Sequence, residues 1–151
     1  MITKKDVEII SHLRSNSRKK ITKIAESINM PVTTIYDRLR NAERRFIDKH
    51  TTLLDFSKIG YPVHSHVVVD VNKESKEGLY NFLLGHSNIN SLYKINYGEK
   101  LLCETVFKNI DDFESFIESL EKDHIVSNIQ VHHISEQLRK EDFLTDVNHI
   151  N

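Results

Sequence analysis

Apolar residues in the first third of the chain recur at helical spacing in three separate segments. Pro31 separates the second segment from the third, because proline lacks an N–H group and disfavours helix in the residue before it. Three short helices with a tight turn between the last two are typical of a helix-turn-helix domain, which we place at residues 1–50. The apolar positions are Val7, Ile9, Ile10 and Leu13, then Ile21, Ile24, Ala25 and Ile28, then Ile35, Leu39, Ala42 and Phe46.

Beyond residue 50 the pattern changes to short strand-like runs separated by two further helical segments. Residues 51–62 predict a linker strand that ends in a turn containing Gly60 and Pro62. Residues 63–136 predict the order βαββαβ, with a hairpin at Gly98. The predicted elements are a strand at 63–71, a helix at 73–84, strands at 89–97 and 101–107, a helix at 110–122 and a strand at 125–135.

The fold class that follows is α+β: a winged-type helix-turn-helix domain, a linker strand and a ferredoxin-like βαββαβ domain. The first strand of that domain alternates, with Val67 and Val69 on one face and His64, His66 and Val68 on the other. A single antiparallel sheet with both helices on one side leaves its second face open. Apolar residues on an open face favour a second copy of the chain, so we expect a dimer.

Charge is divided unevenly along the chain, although the formal net charge is only −1. Residues 1–50 hold 12 basic and 6 acidic residues and carry +6. The remaining residues hold 9 basic and 16 acidic residues and carry −7. A basic first third favours a polyanionic partner, whereas the acidic remainder disfavours one.

The outward face of the third predicted helix combines hydroxyl and aromatic side chains near its start with guanidinium groups near its end. Such a helix fits the major groove of duplex DNA, where these side chains meet base edges and phosphates. A solvated basic helix without a ligand is the alternative. The predicted DNA-binding residues are Thr33, Thr34, Tyr36, Arg38, Arg40, Arg44 and Arg45 in the third helix, with Lys19, Lys20 and Lys23 at the start of the second.

Several segments, taken in their order and spacing, resemble the Lrp/AsnC family of transcription regulators, also called feast/famine regulatory proteins. The segments are IAESI at 24–28, MPVTTIYDRL at 30–39, LDFSKIG at 54–60 and YGE at 97–99. The resemblance implies a sequence-specific DNA-binding regulator of transcription. It also implies a homodimer built by packing the sheets of two protomers, with octamers or other rings as larger assemblies.

In this family small molecules, usually amino acids, bind between βαββαβ domains, which makes Gly98, Glu99 and Lys100 the candidate effector-binding residues here. The turn is one residue shorter than the family pattern, and Lys100 stands where an acidic residue is expected. Lys100 disfavours capture of an ammonium group and favours an anionic effector or none. A plain hairpin without a ligand is the alternative.

Nine histidines are present, and some of them lie close together in the predicted sheet. His64 and His66 share a strand face, while His132 and His133 lie on the strand expected beside it. Imidazoles in that arrangement can bind zinc or form a pH-sensitive dimer contact. Polar strand residues are the commoner outcome, so we predict neither a metal nor a cofactor.

Catalytic motifs are missing from the sequence: it contains no nucleophile elbow, no phosphate-binding glycine loop and no HExxH. We therefore predict that the protein is not an enzyme. Two alternatives to a DNA-binding regulator stay open. One is a ligand- or metal-sensing βαββαβ module with a weak DNA role, and the other is an enzyme resembling sirohaem decarboxylase, which shares the architecture.

The composition, 38% hydrophobic and 28% charged, is that of a folded protein, and no apolar run is long enough for a membrane span. The N-terminus is charged from Lys4 and resembles no secretory signal, and Cys103 is the only cysteine. We expect a cytoplasmic protein with no membrane partner. Residues 137–151 are predicted to form a C-terminal tail, whose apolar spacing would suit a short amphipathic helix.

Overall fold

The computed structural model describes residues 1–124, 126, 128–146 and 148. The chain divides into two compact units. Unit 1 comprises Met1–Thr52 together with Leu138–Asn151, and unit 2 comprises Leu53–Gln137. The predicted tail therefore groups with the helical part of the chain. None of the described helices combines the length and the apolar character that crossing a membrane would require.

The described residues of unit 1 form three α-helices, α1 (Lys4–Ser15), α2 (Ile21–Ile28) and α3 (Val32–Arg45). A capping box starts α1: the Thr3 hydroxyl accepts from the Asp6 amide, and the Asp6 carboxylate accepts from the Thr3 amide. Asn29 ends α2 in the left-handed conformation at φ 51°, which Asn tolerates better than most residues. Two residues later Pro31 precedes α3, which produces the tight turn of a helix-turn-helix.

The core of unit 1 is a small cluster contributed by all three helices. Ile9 from α1, Ile24 and Ala25 from α2 and Ile35 from α3 are almost completely buried. Leu13, Ile21, Ile28, Met30 and Val32 pack around them and stay partly exposed. All of these except Met30 and Val32 are apolar positions that the helical period predicts, whereas Phe46, also predicted on that side of the third helix, is 39% exposed.

The predicted wing and linker strand are wrong, because residues 1–62, all of which are described, contain no strand. Only a single 3₁₀ turn, Ser57–Ile59, interrupts the connection, and Gly60 ends it at φ 90°. A β-prone segment becomes a strand only when another strand lies beside it.

Unit 2 contains β1 (Val63–Asp70), α4 (Lys76–Gly85), β2 (Ile89–Ile95), β3 (Lys100–Phe107), α5 (Ile110–Asp123) and β4 (Ile129–His133). The predicted βαββαβ order is confirmed. The strands form one antiparallel sheet in the order β2-β3-β1-β4. Ile125 and Ser127, which the sequence assigned to the last strand, lie outside the described residues.

The core of unit 2 lies between one face of this sheet and the two helices. Val67, Val69, Leu101 and Cys103 come from the sheet and are at most 1% exposed. The helices contribute Leu79 and Leu83 from α4 and Phe113, Phe116 and Leu120 from α5. Asn109 caps α5 as predicted, because its Oδ1 accepts from the Asp112 amide at 2.8 Å.

Arg14 of α1 contacts the C-terminal segment of unit 1. Arg14 donates from its guanidinium to the carbonyl oxygens of Glu141, at 2.9 Å, and Phe143, and it pairs with the Glu141 carboxylate at 3.3 Å. Residues 138–146 form no helix. Val147 and Ile150, on which the amphipathic pattern of the tail partly depended, lie outside the described residues.

Candidate functional site

The outward face of α3 is the exposed side of a helix whose other side is anchored in the core. Ile35 and Ala42 are buried, whereas Tyr36 is 53% exposed. The helical period therefore separates an apolar stripe from a polar face, as the sequence predicts. The exposed residues of that face are Thr33, Tyr36, Asp37, Arg40, Asn41, Arg44 and Arg45, and Thr34 is half-buried beside them.

Arg38, one of the predicted DNA-binding residues, is held by α1. Its Nη1 donates to Asp6 Oδ1 at 2.8 Å and to Thr3 Oγ1 at 3.2 Å. Burial alone would raise the pKa of Asp6, but hydrogen bonds from Thr3 and Arg38, with the Arg38 charge, outweigh burial and lower it. The Arg38–Asp6 ion pair therefore fastens α3 to α1, and we call Thr3, Asp6 and Arg38 the polar staple.

The other predicted cations differ in what they contact. Lys23 pairs with Glu26 at 2.9 Å, and Lys19 Nζ lies 3.1 Å from His12 Nδ1. In the described part of the chain, no carboxylate lies within ion-pair distance of the three arginines that end α3. These are Arg40, Arg44 and Arg45; Arg44 donates to the Arg40 carbonyl, and the Arg45 guanidinium lies 5.2 Å from the centre of the Phe46 ring.

The first turns of α2 and α3 add partial positive charge to the same domain. Lys20 precedes α2 and Pro31 precedes α3, and neither side chain caps its helix. Backbone amides at an uncapped helix start favour anions, because they point outward and lie at the positive end of the helix dipole. Lys20 before α2, and Thr33 and Thr34 in the first turn of α3, are side chains that suit phosphate contacts at these two helix ends.

The candidate effector turn lies in unit 2, between β2 and β3. Asn96, Tyr97 and Gly98 all have positive φ, at 50°, 57° and 90°, and Tyr97 is fully exposed. The predicted hairpin at Gly98 is confirmed, and its turn contains these three residues of positive φ. Gly98 and Glu99 lie in this turn; the Glu99 amide donates to the Asn96 carbonyl and its carbonyl accepts from Val71, so its exposed side chain is what a ligand can reach.

Lys100, the third candidate effector residue, starts β3 and pairs across the sheet. Its Nζ lies 2.8 Å from Asp70 Oδ1. The hydrogen bond from Lys100, followed by one from Asn128, lowers the pKa of Asp70. The Lys100 charge is therefore neutralised locally, which reduces its attraction for an anionic effector.

The helix-free side of the sheet, which we call the open face, carries polar and apolar rows. One row crosses the sheet as Val68, Leu102 and Tyr93, from β1 to β3 to β2. The row beside it contains His66 and Glu104. Tyr93 is 55% exposed, so the open face combines accessible apolar surface with titratable groups.

The four histidines singled out from the sequence do not form one cluster. His132 lies opposite His66 on the open face, whereas His133 faces the helices, where its Nδ1 lies 2.8 Å from Ser65 Oγ and its ring contacts Phe113. The sequence reasoning missed Glu104, whose Oε1 lies 2.9 Å from His64 Nε2. Its position depends on the register of β1 against β3, which no local pattern specifies.

Comparisons with solved structures decide the fold. The chain aligns with a transcriptional regulator of Neisseria meningitidis crystallised with L-Met, at a TM-score of 0.83 and 16% identity, over 93% of this chain and 94% of that one. The fold is that of the Lrp/AsnC regulators. Bacillus subtilis LrpC aligns with a TM-score of 0.81 and 21% identity over 92% and 98% of the two chains, and Escherichia coli AsnC with 0.74 and 14% over 93% and 96%.

Sequence comparisons agree with this Lrp/AsnC fold. An uncharacterized HTH-type transcriptional regulator of Pyrococcus abyssi is 24% identical over 144 residues, which cover 95% of this chain and 97% of that protein. A second one, from Pyrococcus furiosus, is 23% identical over 139 residues, 91% and 93% of the two chains. No family model matches the chain. The predicted resemblance to Lrp/AsnC regulators is confirmed, and it extends over nearly the whole chain.

Proposed function

We propose that this protein is a sequence-specific DNA-binding regulator of transcription that inserts α3 into the major groove. The observation that carries the proposal is the outward face of α3, where Tyr36, Arg40 and Arg44 are exposed above a buried anchor. A helix of this kind fits the major groove, and arginines without carboxylate partners are available for phosphates. The relatives from Pyrococcus and the solved neighbours, named as transcriptional regulators, support the same function.

The two ends of α3 are proposed to have different roles. Thr33 and Tyr36, in the first turns, supply hydroxyl groups that hydrogen-bond to base edges and so determine the preferred sequence. Arg44 and Arg45, in the last turn, hold phosphates and contribute affinity for every sequence. The role proposed for Arg38 differs from the DNA contact expected from the sequence. Because Arg38 belongs to the polar staple, it positions α3.

A second copy of the chain is the proposed occupant of the open face. Val68, Leu102 and Tyr93 form an apolar row across three strands of the sheet, from β1 to the edge strand β2, on the side opposite the described helices. Packing two such faces removes these side chains from water and places two α3 helices on one DNA site. The dimer would then bind a site with twofold symmetry, and octamers would arise by further contacts between dimers.

A small-molecule effector is proposed to act at the turn between β2 and β3. The Neisseria meningitidis neighbour is a complex with L-Met, which makes an amino acid one candidate class. Gly98 and Glu99 are the proposed contacts, whereas Lys100 contributes mainly through Asp70. An effector changes DNA binding only if it binds two assemblies or conformations with different affinities.

The first experiment measures DNA binding and its salt dependence. A duplex recovered by selection from random sequence is titrated with the full chain at several salt concentrations, with fluorescence anisotropy as the readout. Arg44→Ala is expected to weaken binding and to reduce the slope of log K against log salt by about 0.9, because one phosphate contact is lost. Thr33→Ala and Tyr36→Phe should instead change which sequences are preferred.

Lys122→Ala is the matched control, because it also removes one cation, from α5 of unit 2. It should leave both the affinity and the salt slope unchanged. The proposal fails if selection recovers no duplex that binds in a salt-dependent manner, or if Arg44→Ala and Lys122→Ala behave alike. Light scattering of the free protein tests the dimer, which Tyr93→Asp should disrupt.

A further inference from the structure

Two histidines and one glutamate converge on the open face of unit 2. His64 and His66 come from β1 and Glu104 from β3, and one potential ligand atom of each lies within 4.8 Å of the others. The closest pair is His64 Nε2 and Glu104 Oε1, at 2.9 Å. Both of these side chains are only about one-seventh exposed, at 14% and 15%. Among the described residues, this is the one group of three histidine, cysteine or carboxylate side chains that meets this spacing.

Local geometry explains why the three side chains meet. Residues two apart on a strand point to the same face, so the two imidazoles of β1 lie side by side, with ring centres 6.1 Å apart and planes at 88°. The β1–β3 register places Glu104 directly opposite His66. The cluster is therefore built on paired strands, which hold side chains more rigidly than loops do.

Further contacts orient the carboxylate and one imidazole. Glu104 Oε2 accepts from Ser91 Oγ at 2.7 Å and from Asn90 Nδ2 at 2.9 Å, which leaves Oε1 directed to the histidines. Phe56 packs edge-on against the His64 ring, with centres 5.7 Å apart. Burial raises the pKa of Glu104, but the hydrogen bonds from Ser91, Asn90 and His64 outweigh burial and lower it, so the carboxylate is ionised at neutral pH.

We propose that His64, His66 and Glu104 form a binding site for a divalent transition metal of the Zn²⁺ class. Two imidazole nitrogens and one carboxylate oxygen are a ligand set that zinc takes in proteins, and a water molecule completes the tetrahedron. Outer-shell hydrogen bonds such as those from Ser91 and Asn90 are typical of ligating carboxylates. The site goes beyond the DNA-binding function and needs no DNA to be observed.

A hydrogen-bonded ion pair between His64 and Glu104 is the competing interpretation. That pair would need neither His66 nor a metal, and it would account for the 2.9 Å contact alone. The two interpretations differ in what His66 does. In a metal site His66 is a ligand, whereas in a simple ion pair its removal changes little.

The test uses the full chain, without an affinity tag and stripped of metal with a chelator. Cobalt chloride is added, and the visible d–d absorption bands of tetrahedral Co²⁺ are recorded; zinc chloride then displaces the cobalt in a competition titration. We expect one metal ion for each chain. His66→Ala and Glu104→Gln should each weaken binding by about tenfold or more, since even outer-shell changes reach about that size.

His132→Ala is the matched control, because His132 lies opposite His66 on the same face but outside the cluster. It should leave the absorption bands and the affinity unchanged. Thermal unfolding of each metal-free variant identifies any that does not fold. His66→Ala leaves the His64–Glu104 pair intact, so it is expected to disturb folding less than Glu104→Gln. The proposal is overturned if no tetrahedral bands form, if folded His66→Ala binds like the wild type, or if His132→Ala loses binding equally.

Discussion

Units 1 and 2 reach stable folds by different means, and the difference lies in how much apolar surface each buries. Among the described residues, the central cluster of unit 1 contains four buried apolar side chains and that of unit 2 contains eleven. Small cores bury too little surface to order their helices by packing alone. Unit 1 compensates with the polar staple, which joins α1 to α3 by a short ion pair.

Charged groups also have different uses in the two units. In unit 2, Lys100 pairs with Asp70 across the sheet, and His64 pairs with Glu104. In unit 1, the outward face of α3 presents arginines without carboxylate partners among the described residues. Unpaired cations on one face are unfavourable within a small domain and favourable against a polyanion, so the comparison supports the DNA-binding proposal.

The largest expected effect comes from deleting one fully buried side chain in each unit. Ile24→Ala and Leu101→Ala remove side chains that are 0% and 1% exposed. Each should lower the free energy of unfolding of its own unit by about 2–5 kcal/mol. Because unit 1 has the smaller cluster, Ile24→Ala should unfold it and abolish DNA binding, whereas unit 2 should stay folded after Leu101→Ala.

Hydrogen exchange measured by mass spectrometry checks this, because peptides from the two units are followed separately in one sample. In Ile24→Ala, peptides from residues 1–52 should lose protection while those from the sheet keep it. The conclusion that unit 1 has the less stable core is contradicted if Leu101→Ala unfolds unit 2, or if unit 1 stays folded in Ile24→Ala.

Most of this fold follows from local patterns in the sequence. The turn at Pro31, the alternation in β1 and the Asn109 cap all depend on residues close together in the chain, and the structure has each of them. The linker strand failed for the opposite reason, since pairing depends on a distant partner. The start of α1 at Lys4 is local as well, because Thr3 and Asp6, three residues apart, form its capping box, although the apolar period alone does not reveal it.

The candidate sites also combine features that local sequence predicts with features that depend on distant residues. The helical period indicates the outward face of α3, but it cannot indicate that Arg38 pairs with a residue 32 positions earlier. The histidine pair of β1 is visible in the sequence, whereas Glu104 joins it only through the strand register. Local spacing therefore identifies which residue types are available, and tertiary pairing decides which of them meet.

Breaking the polar staple is expected to lower stability by less than deleting a buried side chain. This change tests whether Arg38 acts in folding or in DNA contact. Asp6→Asn removes the charge that holds Arg38 and should lower the free energy of unfolding of unit 1 by about 1–2 kcal/mol. The value lies between those of exposed and buried pairs, because the Arg38 side chain is 35% exposed and that of Asp6 is 10%. Urea unfolding followed through unit 1 peptides measures it.

Arg40→Ala provides the reverse case, because its outward side chain should affect DNA binding and leave stability nearly unchanged. In Asp6→Asn, the salt slope of DNA binding should stay that of the wild type once the protein is folded. If Asp6→Asn changes the slope as Arg40→Ala does, the polar staple is part of the DNA interface and the assignment of Arg38 is wrong.

The smallest expected effect is a difference in acid stability between the units. Asp6 in unit 1 and Glu104 in unit 2 both have lowered pKa values in the folded protein, so each contributes stability above its unfolded pKa, near about 4. That contribution disappears as the pH falls through the lower, folded pKa. Unit 1 has less remaining stability, so hydrogen exchange in a pH series should show it unfolding at a higher pH than unit 2.

Asp6→Asn and Glu104→Gln sharpen this prediction, because each removes one carboxylate of lowered pKa from one unit only. Asp6→Asn should flatten the acid dependence of unit 1, and Glu104→Gln should flatten that of unit 2 in part, because Asp70 still titrates there. Each variant should leave the other unit as in the wild type. Unfolding of unit 2 at the higher pH would contradict the account, because the larger core would then not be what protects it. If either variant flattens the acid dependence of both units equally, the two units unfold together. A pH series would then not separate the effect of the larger core of unit 2 from that of the polar staple of unit 1.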